Sequence, residues 1–209
     1  ETLVPSEYDG DFAALYDRLH PEAREAPAYV RLARRTGGPV LELGAGSGRL
    51  VVPLARAGFD VVGLELRESM LARFRDRLAA EPEAVRSRVT CVRGDLRACN
   101  LGRVFPLVAA PCNVLDALVE PGDLHAALAC ARRHLAPGGI LAIDGSAPDL
   151  PEMVARHGVE QVLEFRDEEG RRWVSRFVPR FDFLRQVEED EIRLEVWEGD
   201  RCLRRSRTR

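Results

Sequence analysis

The chain has 209 residues, 45% of them hydrophobic and 31% charged, which suits one generous globular domain and excludes a disordered or collagenous chain. Thirty-one basic residues against 34 acidic ones leave a net charge of −3, so the bulk positive field of a nucleic-acid binder is absent. All the basic residues are arginines, which excludes a Schiff-base amine and a lysine-bearing phosphate loop.

In chain order, Glu7–Leu19 reads as an amphipathic helix carrying Tyr8, Phe12 and Tyr16. From Pro39 short β-rich runs alternate with helical patterns. The runs are Val40–Leu43, Val61–Glu65, Val89–Arg93, Val104–Ala110 and Ile140–Asp144, and the helices are Arg49–Ala57, Ser69–Ala80 and Asp123–Leu135. Ser69 and Asp123 stand where N-caps belong, and Gly58 and Gly138 where helices should stop. This alternation predicts an α/β fold: a doubly wound, mostly parallel, Rossmann-like sheet with helices on both faces. A short helix after Pro151 leads into strictly alternating runs at Val162–Arg166, Arg172–Val178, Phe181–Val187 and Ile192–Trp197, with turns at Glu169-Gly170 and Gly199-Asp200. These predict an antiparallel meander too small for a core of its own. The expected organisation is a helical cover (1–38), an α/β core (39–150) and a β extension (151–209) within one structural unit.

The chemistry concentrates in Val40-Leu41-Glu42-Leu43-Gly44-Ala45-Gly46-Ser47-Gly48-Arg49. Glycines let the backbone turn at positive φ and admit a ligand against the main chain. A dinucleotide loop needs a third glycine three positions after the second, and that position is Arg49. The spacing is E-x-G-x-G-x-G instead. An acid just before the turn repels a pyrophosphate and suits an ammonium group. Glu65 ends the second strand, where an acid pairs with a ribose diol, and Asp95 follows the third strand, where it can accept from an exocyclic amine. An ammonium, a diol and an adenine amine together describe S-adenosylmethionine.

Four blocks in order, Leu41–Gly48, Val61–Leu71, Val92–Leu96 and Leu135–Asp144, resemble the class I S-adenosylmethionine-dependent methyltransferases of the small-molecule type, over about residues 8–147. The resemblance implies that Gly44, Ala45, Gly46 and Gly48 pack under the methionine part, with Glu42 near its ammonium and Tyr16 as part of a lid. It places Glu65 on the ribose, Leu66 and Met70 beside the adenine, and Gly94, Asp95 and Leu96 at its amino edge. Ala110 and Pro111 would line the route to the methyl group. The segment Ala110-Pro111-Cys112-Asn113 departs from the D/N-P-P-Y of amino-base methylation, which argues against a nucleic-acid base as acceptor. That family closes its sheet with a helix and an antiparallel strand pair; here the meander either takes their place or the chain ends before them. The first residue, Glu1, leaves the start of the gene product open.

The expected function is methyl transfer to an N or O nucleophile of a small metabolite, mainly by alignment, yielding S-adenosylhomocysteine. An RNA or protein methyltransferase, or a non-catalytic S-adenosylmethionine-binding module, are the alternatives. No catalytic residue is fixed; Asn113, Asp116 and Asp144, at the carboxyl ends of the fourth and fifth strands, are candidates to orient or deprotonate the acceptor. Arg172, Arg176 and Arg180 read as surface charge before they read as an acidic-substrate grip. Arg201, Arg204, Arg205, Arg207 and Arg209 read as a solvated strand edge, because Glu188–Glu191 precede them. Cys91, Cys99, Cys112, Cys130 and Cys202 form no CxxC pair, and His20, His125, His134 and His157 share no metal spacing, so no metal is expected. Cys112 reads as a small filler. A cytoplasmic protein with no membrane segment follows, its oligomeric state open, a homodimer through the β extension being one arrangement.

Overall fold

The computed structural model describes residues 10–208; Tyr8, at the start of the first predicted helix, and Arg209 lie outside them. Among the described residues, Tyr16–Ser146 form one compact unit, and residues 10–15 together with 147–208 form a second. The helix α1 (Gly10–Leu19) contributes to both, since the division falls between Leu15 and Tyr16.

The first unit contains α2 (Ala26–Thr36), β1 (Val40–Leu43), α3 (Val51–Arg56), β2 (Val61–Glu65), α4 (Glu68–Ala79), α5 (Glu83–Arg86), β3 (Val89–Arg93), β4 (Phe105–Ala110), α6 (Pro121–His134) and β5 (Leu135–Ile143). Its five strands are all parallel, in the order β3-β2-β1-β4-β5. Apart from Glu42 in β1, the central strands β1 and β4 are apolar throughout because both faces are covered. Val40, Val61, Leu107 and Ala109 face one core with Tyr29 and Ala33 of α2, Leu54 of α3 and Phe74 of α4. Leu41, Leu43, Val62, Leu64 and Val108 alternate to the other, shared with Ala131 of α6. Removing the fully buried Phe74 ring would cost about 3–5 kcal/mol. The order reverses between β1 and β4, so a crevice opens at the carboxyl ends of those two strands.

Helix boundaries depart from the sequence expectation in instructive ways. Neither Ser69 nor Asp123 is an N-cap: α4 is entered from Arg67 and α6 from Glu120, both without side-chain caps. Pro121, with its φ already helical, starts α6 ahead of Asp123. Gly58, at φ +97°, does end α3. Gly138 does not end α6, which stops at His134; it lies inside a β5 that begins at Leu135 and slips in register against β4 between Phe105 and Leu107.

The second unit holds α7 (Leu150–Arg156), capped by Asp149 accepting from the Glu152 N–H at 3.1 Å, and an antiparallel sheet of β6 (Gln161–Arg166), β7 (Arg172–Asp182), β8 (Val187–Glu198) and β9 (Arg201–Thr208). Two of the predicted runs, Arg172–Val178 and Phe181 onward, prove to be one strand through Pro179. Proline is tolerated there because β6 pairs with β7 only as far as Phe177, and the Pro179 carbonyl accepts from Gly158 N–H on that same side. The chain turns instead at 183–186, where the Asp182 carboxylate takes the N–H groups of Leu184 and Arg185. The arginine-rich end forms β9, an edge strand whose Arg205 and Arg207 pair with Glu195 and Glu191 of β8. Leu194 and Val196 face inward as their alternation predicts, and with Trp173 they close a core on Phe12 and Leu15 of α1. No described helix is long and apolar enough to cross a membrane.

Candidate functional site

After β1 the backbone passes through Gly44, Gly46 and Gly48 at φ +70°, +55° and +79°. The three glycines serve different ends. A Cβ on Gly44 would stand 2.1 Å from Val114 Cγ2, and one on Gly48 2.4 Å from the Phe74 ring, so these two are required by packing. A Cβ on Gly46 would meet only Met70 Cε, at 3.4 Å, so this glycine leaves main chain bare for a ligand. Asp17 of α1 fixes the loop from outside. Its carboxylate accepts from Ser47 Oγ and from Arg73 Nε, each at 2.5 Å, while Arg77 Nε donates to the Ser47 carbonyl at 2.9 Å.

Beside the loop lies a small hollow, lined by Tyr16, Glu25, Glu42, Gly46, Arg49 and Cys112 among others. Gly44, Ala45 and Pro111 line it too, so six of the sequence-selected positions meet around one space. Glu42 is 2% exposed, and its Oε2 has no hydrogen-bond partner among the described residues. Burial pushes its pKa well above the usual carboxylate range, and the negative charges of Glu25, Glu65 and Asp144 push the same way against Arg49. A buried acid with an unmet oxygen is costly unless a cation arrives. The donor set therefore suits an ammonium group.

Arg49, which the sequence reading used only as a missing glycine, is the cation of the hollow. Its side chain is 9% exposed and folds back over Tyr16, 5.7 Å from the ring centre. The guanidinium pairs with Glu25 at 3.3 Å and touches the carbonyl of Glu22 and, at 3.0 Å, the Cys112 sulfur. Glu25 was missed as well; only its position at the N-cap of α2 could have drawn notice. Cys112 is not the apolar filler expected. The residue as a whole is exposed, at φ +56°, but its thiol lines the hollow and donates to Glu25 at 2.9 Å, and enclosure of the sulfur there, with that carboxylate, pushes the thiol up to about 12. Two successive residues at positive φ, Cys112 and Asn113, mark a strained bend after β4.

The other predicted acids sit farther round the sheet. Glu65 accepts from the N–H of Gly46 and of Arg67, each at 2.8 Å, so it braces the loop from the tip of β2 and keeps lone pairs for further donors. Asp95 is wrapped by Arg97, which donates from its N–H, Nε and Nη2 and reaches Asp123 at 2.7 Å. Those bonds hold the Asp95 carboxyl below its ordinary range. Asp95 does not line the hollow, and neither do Leu66, Met70, Gly94 or Leu96. Gly94 donates its N–H to the Glu65 carbonyl and Leu96 packs under the sheet with Ala110.

Of the three acceptor-side candidates, Asp144 is occupied: its Oδ2 accepts from Tyr29 Oη at 2.9 Å and its Oδ1 from the Asn113 N–H at 3.2 Å. Burial, and then the Asp144 carboxylate, push the Tyr29 hydroxyl far above its ordinary pKa, so it stays a donor. This pair holds the bend after β4. Asn113 is exposed and bonds Ser146 Oγ at 2.7 Å, and Asp116 is exposed beside Gly145.

Residues 40–139 match a family model described as a methyltransferase domain. Over 145 residues the chain is 30% identical to a dTDP-3-amino-3,4,6-trideoxy-α-D-glucopyranose N,N-dimethyltransferase of Streptomyces venezuelae, covering 66% of this chain and 58% of that one. The chain thus spans a little over half the length of the curated relatives it matches. Among solved structures, the glycopeptide N-methyltransferase MtfA with S-adenosylmethionine is 31% identical, with a TM-score of 0.56 over 90% of this chain and 78% of that one. CalS10, an amino pentose methyltransferase from Micromonospora echinaspora bound to S-adenosylmethionine, is 26% identical, with a TM-score of 0.69 over 100% of this chain and 84% of that one.

Proposed function

The chain belongs to the class I S-adenosylmethionine-dependent methyltransferases, and from that premise we propose that it transfers a methyl group to the amine of a small metabolite, an amino sugar. The observation that carries the reading is the unmet oxygen of buried Glu42 beside the bare main chain of Gly46.

S-adenosylmethionine supplies, when bound, a methyl group activated on a sulfonium sulfur. In this reading Glu42 receives the cofactor's ammonium, and Arg49 turns from Glu25 to its carboxylate. Glu65 uses its remaining lone pairs for the ribose hydroxyls. Met70 and Leu66 border the adenine, and Asp95 accepts from the adenine amine in place of one of the bonds it accepts from Arg97. Tyr16 covers the hollow and helps exclude water. Asp144 acts as a positioning residue, because Tyr29 and the Asn113 N–H already hold both its oxygens. Asn113 and Asp116 are the side chains open to orient an acceptor amine, and a carboxylate at position 116 can take its proton. Alignment in a dry site supplies the rest.

The acceptor class is supported by the amine substrates named for the similar proteins, two of them sugars. MtfA, named for a glycopeptide, supports a second reading in which the amine belongs to a peptide. Incubating the purified protein with methyl-deuterated S-adenosylmethionine separates the two, using sugar nucleotides that bear a free amine and, in parallel, glycopeptides. Label on the sugar amine is expected. Label only on peptide, or tight cofactor binding with no label on any amine, would overturn the proposal.

A further inference from the structure

Away from the hollow, Cys99, in the segment after β3, and Cys130 of α6 bring their Sγ atoms to 3.1 Å. With His134 one turn on, three donor atoms lie within 4.8 Å of one another, a grouping that suggests a metal. The His134 ring argues otherwise. Its Nε2 accepts from the Leu101 N–H at 2.9 Å, so Nδ1 carries the proton and donates to the Cys130 carbonyl at 2.8 Å. Neither nitrogen keeps a lone pair for an ion. What remains is a pair of thiols joining two elements far apart in the chain.

The approach of the two sulfurs is held from both sides. Arg97, two residues before Cys99, bonds Asp123 on the first turn of α6 at 2.7 Å, and Arg133 near its end donates to the Cys99 carbonyl at 3.4 Å. Closing the sulfurs to a bonded distance of about 2 Å requires a movement of only about 1 Å. Cys130 is buried and Cys99 only partly so, which makes Cys99 the sulfur that an outside reagent meets first.

We propose that Cys99 and Cys130 are a thiol modification site, oxidised to an intramolecular disulfide by exchange with a small-molecule disulfide. The Cys99 thiolate attacks one sulfur of the reagent, whose S–S bond breaks and releases one thiolate. Cys130, its proton passed to solvent, then attacks the Cys99 sulfur and releases the second. Two protein thiols are oxidised and one external disulfide is reduced to two thiols. Burial, and then contact with Cys130, push the Cys99 thiol up to about 12, so the exchange speeds up as pH rises and is slow at neutrality. The bond closes the loop that carries β4 and ties the Asp95-bearing segment to α6. This property is independent of what the hollow binds.

The test equilibrates the reduced protein in mixtures of reduced and oxidised glutathione, quenches by alkylation, and maps peptides by mass. A Cys99–Cys130 peptide pair lighter by two hydrogen atoms is expected, forming faster at pH 9 than at pH 7, with a melting temperature raised by about 5 °C or more. Cys99→Ser, at the partly exposed position, should fold normally and lose both the mass change and the thermal shift. Both thiols remaining alkylatable in the most oxidising mixture, or oxidation that stops at a glutathione adduct on Cys99, would overturn the proposal. So would a thermal shift that persists in Cys99→Ser.

Discussion

Each of the two units buries a carboxylate whose surroundings set its role, and Glu42 of β1 and Asp167, just after β6, are treated in opposite ways. In the antiparallel unit, Asp167 accepts from Trp173 Nε1, the Arg171 N–H and Arg171 Nε, each at 2.8 Å. Burial alone would raise its pKa, but these bonds hold the carboxyl far below the usual range. In the parallel unit, Glu42 is as deeply enclosed and keeps an oxygen unmet, and its pKa moves up. Asp167 is complete within the fold and locks the β6–β7 turn. Glu42 is incomplete without something the fold does not contain. Buried charge that is satisfied reads as architecture, and buried charge that is not reads as a binding site.

The sharpest way to break this contrast is to fill the space Glu42 faces. Gly46→Arg places a side chain where only Met70 Cε lies near, and should weaken S-adenosylhomocysteine binding by about 100-fold or more in calorimetry, while the strain of a side chain at φ +55° lowers the melting temperature by a few degrees without unfolding the protein. Exchanging each acid for its amide sharpens it. Asp167→Asn should lower the melting temperature by about 5 °C and leave cofactor affinity alone. Glu42→Gln should hold or raise the melting temperature of the free protein. A thermal scan of the two variants side by side is decisive; equal losses would erase the distinction.

The pH dependences have opposite signs. The folded-state pKa of Glu42 is raised, so its contribution to stability is full below the unfolded carboxyl value and fades as pH rises through the folded one. An arriving ammonium expels its proton, so cofactor affinity should climb with pH across that window, against the fixed charges of Glu25, Arg49, Glu65 and Asp144. Asp167, with its pKa depressed, contributes above the unfolded value and is lost as pH falls, so the β6–β7 turn it locks should loosen in acid. Hydrogen exchange at pH 3 against pH 7 reads this region by region. The smallest effect is expected from Tyr29→Phe, which removes one bond to Asp144 and should cost about 2–4 °C in melting temperature.

The α/β core was legible because its signals are local. Short continuous apolar runs and a glycine-bearing bend are written in consecutive residues, and the strands β1, β2 and β3 lie where they were expected. Glu42 and Gly46 were legible for the same reason. Arg49, Glu25 and Asp17 were not, because their roles come from contacts across 24 to 87 residues that no spacing records. The caps failed where a competing residue won: Pro121 started α6 ahead of Asp123. Asp95 shows a further gap. Its place after β3 was readable, but its capture by Arg97 two residues on was not. The Asp182 turn was hidden because it uses a side chain in place of glycine.

The central claim, that Glu42 is held open for a cationic ligand, meets its most direct test in titration calorimetry of S-adenosylmethionine into the wild-type protein and Glu42→Gln, each in buffers of differing ionisation enthalpy. Wild type should release a proton on binding, and the variant should bind about 10- to 100-fold more weakly with no proton released. Equal affinities, with the same proton count in both proteins, would contradict it.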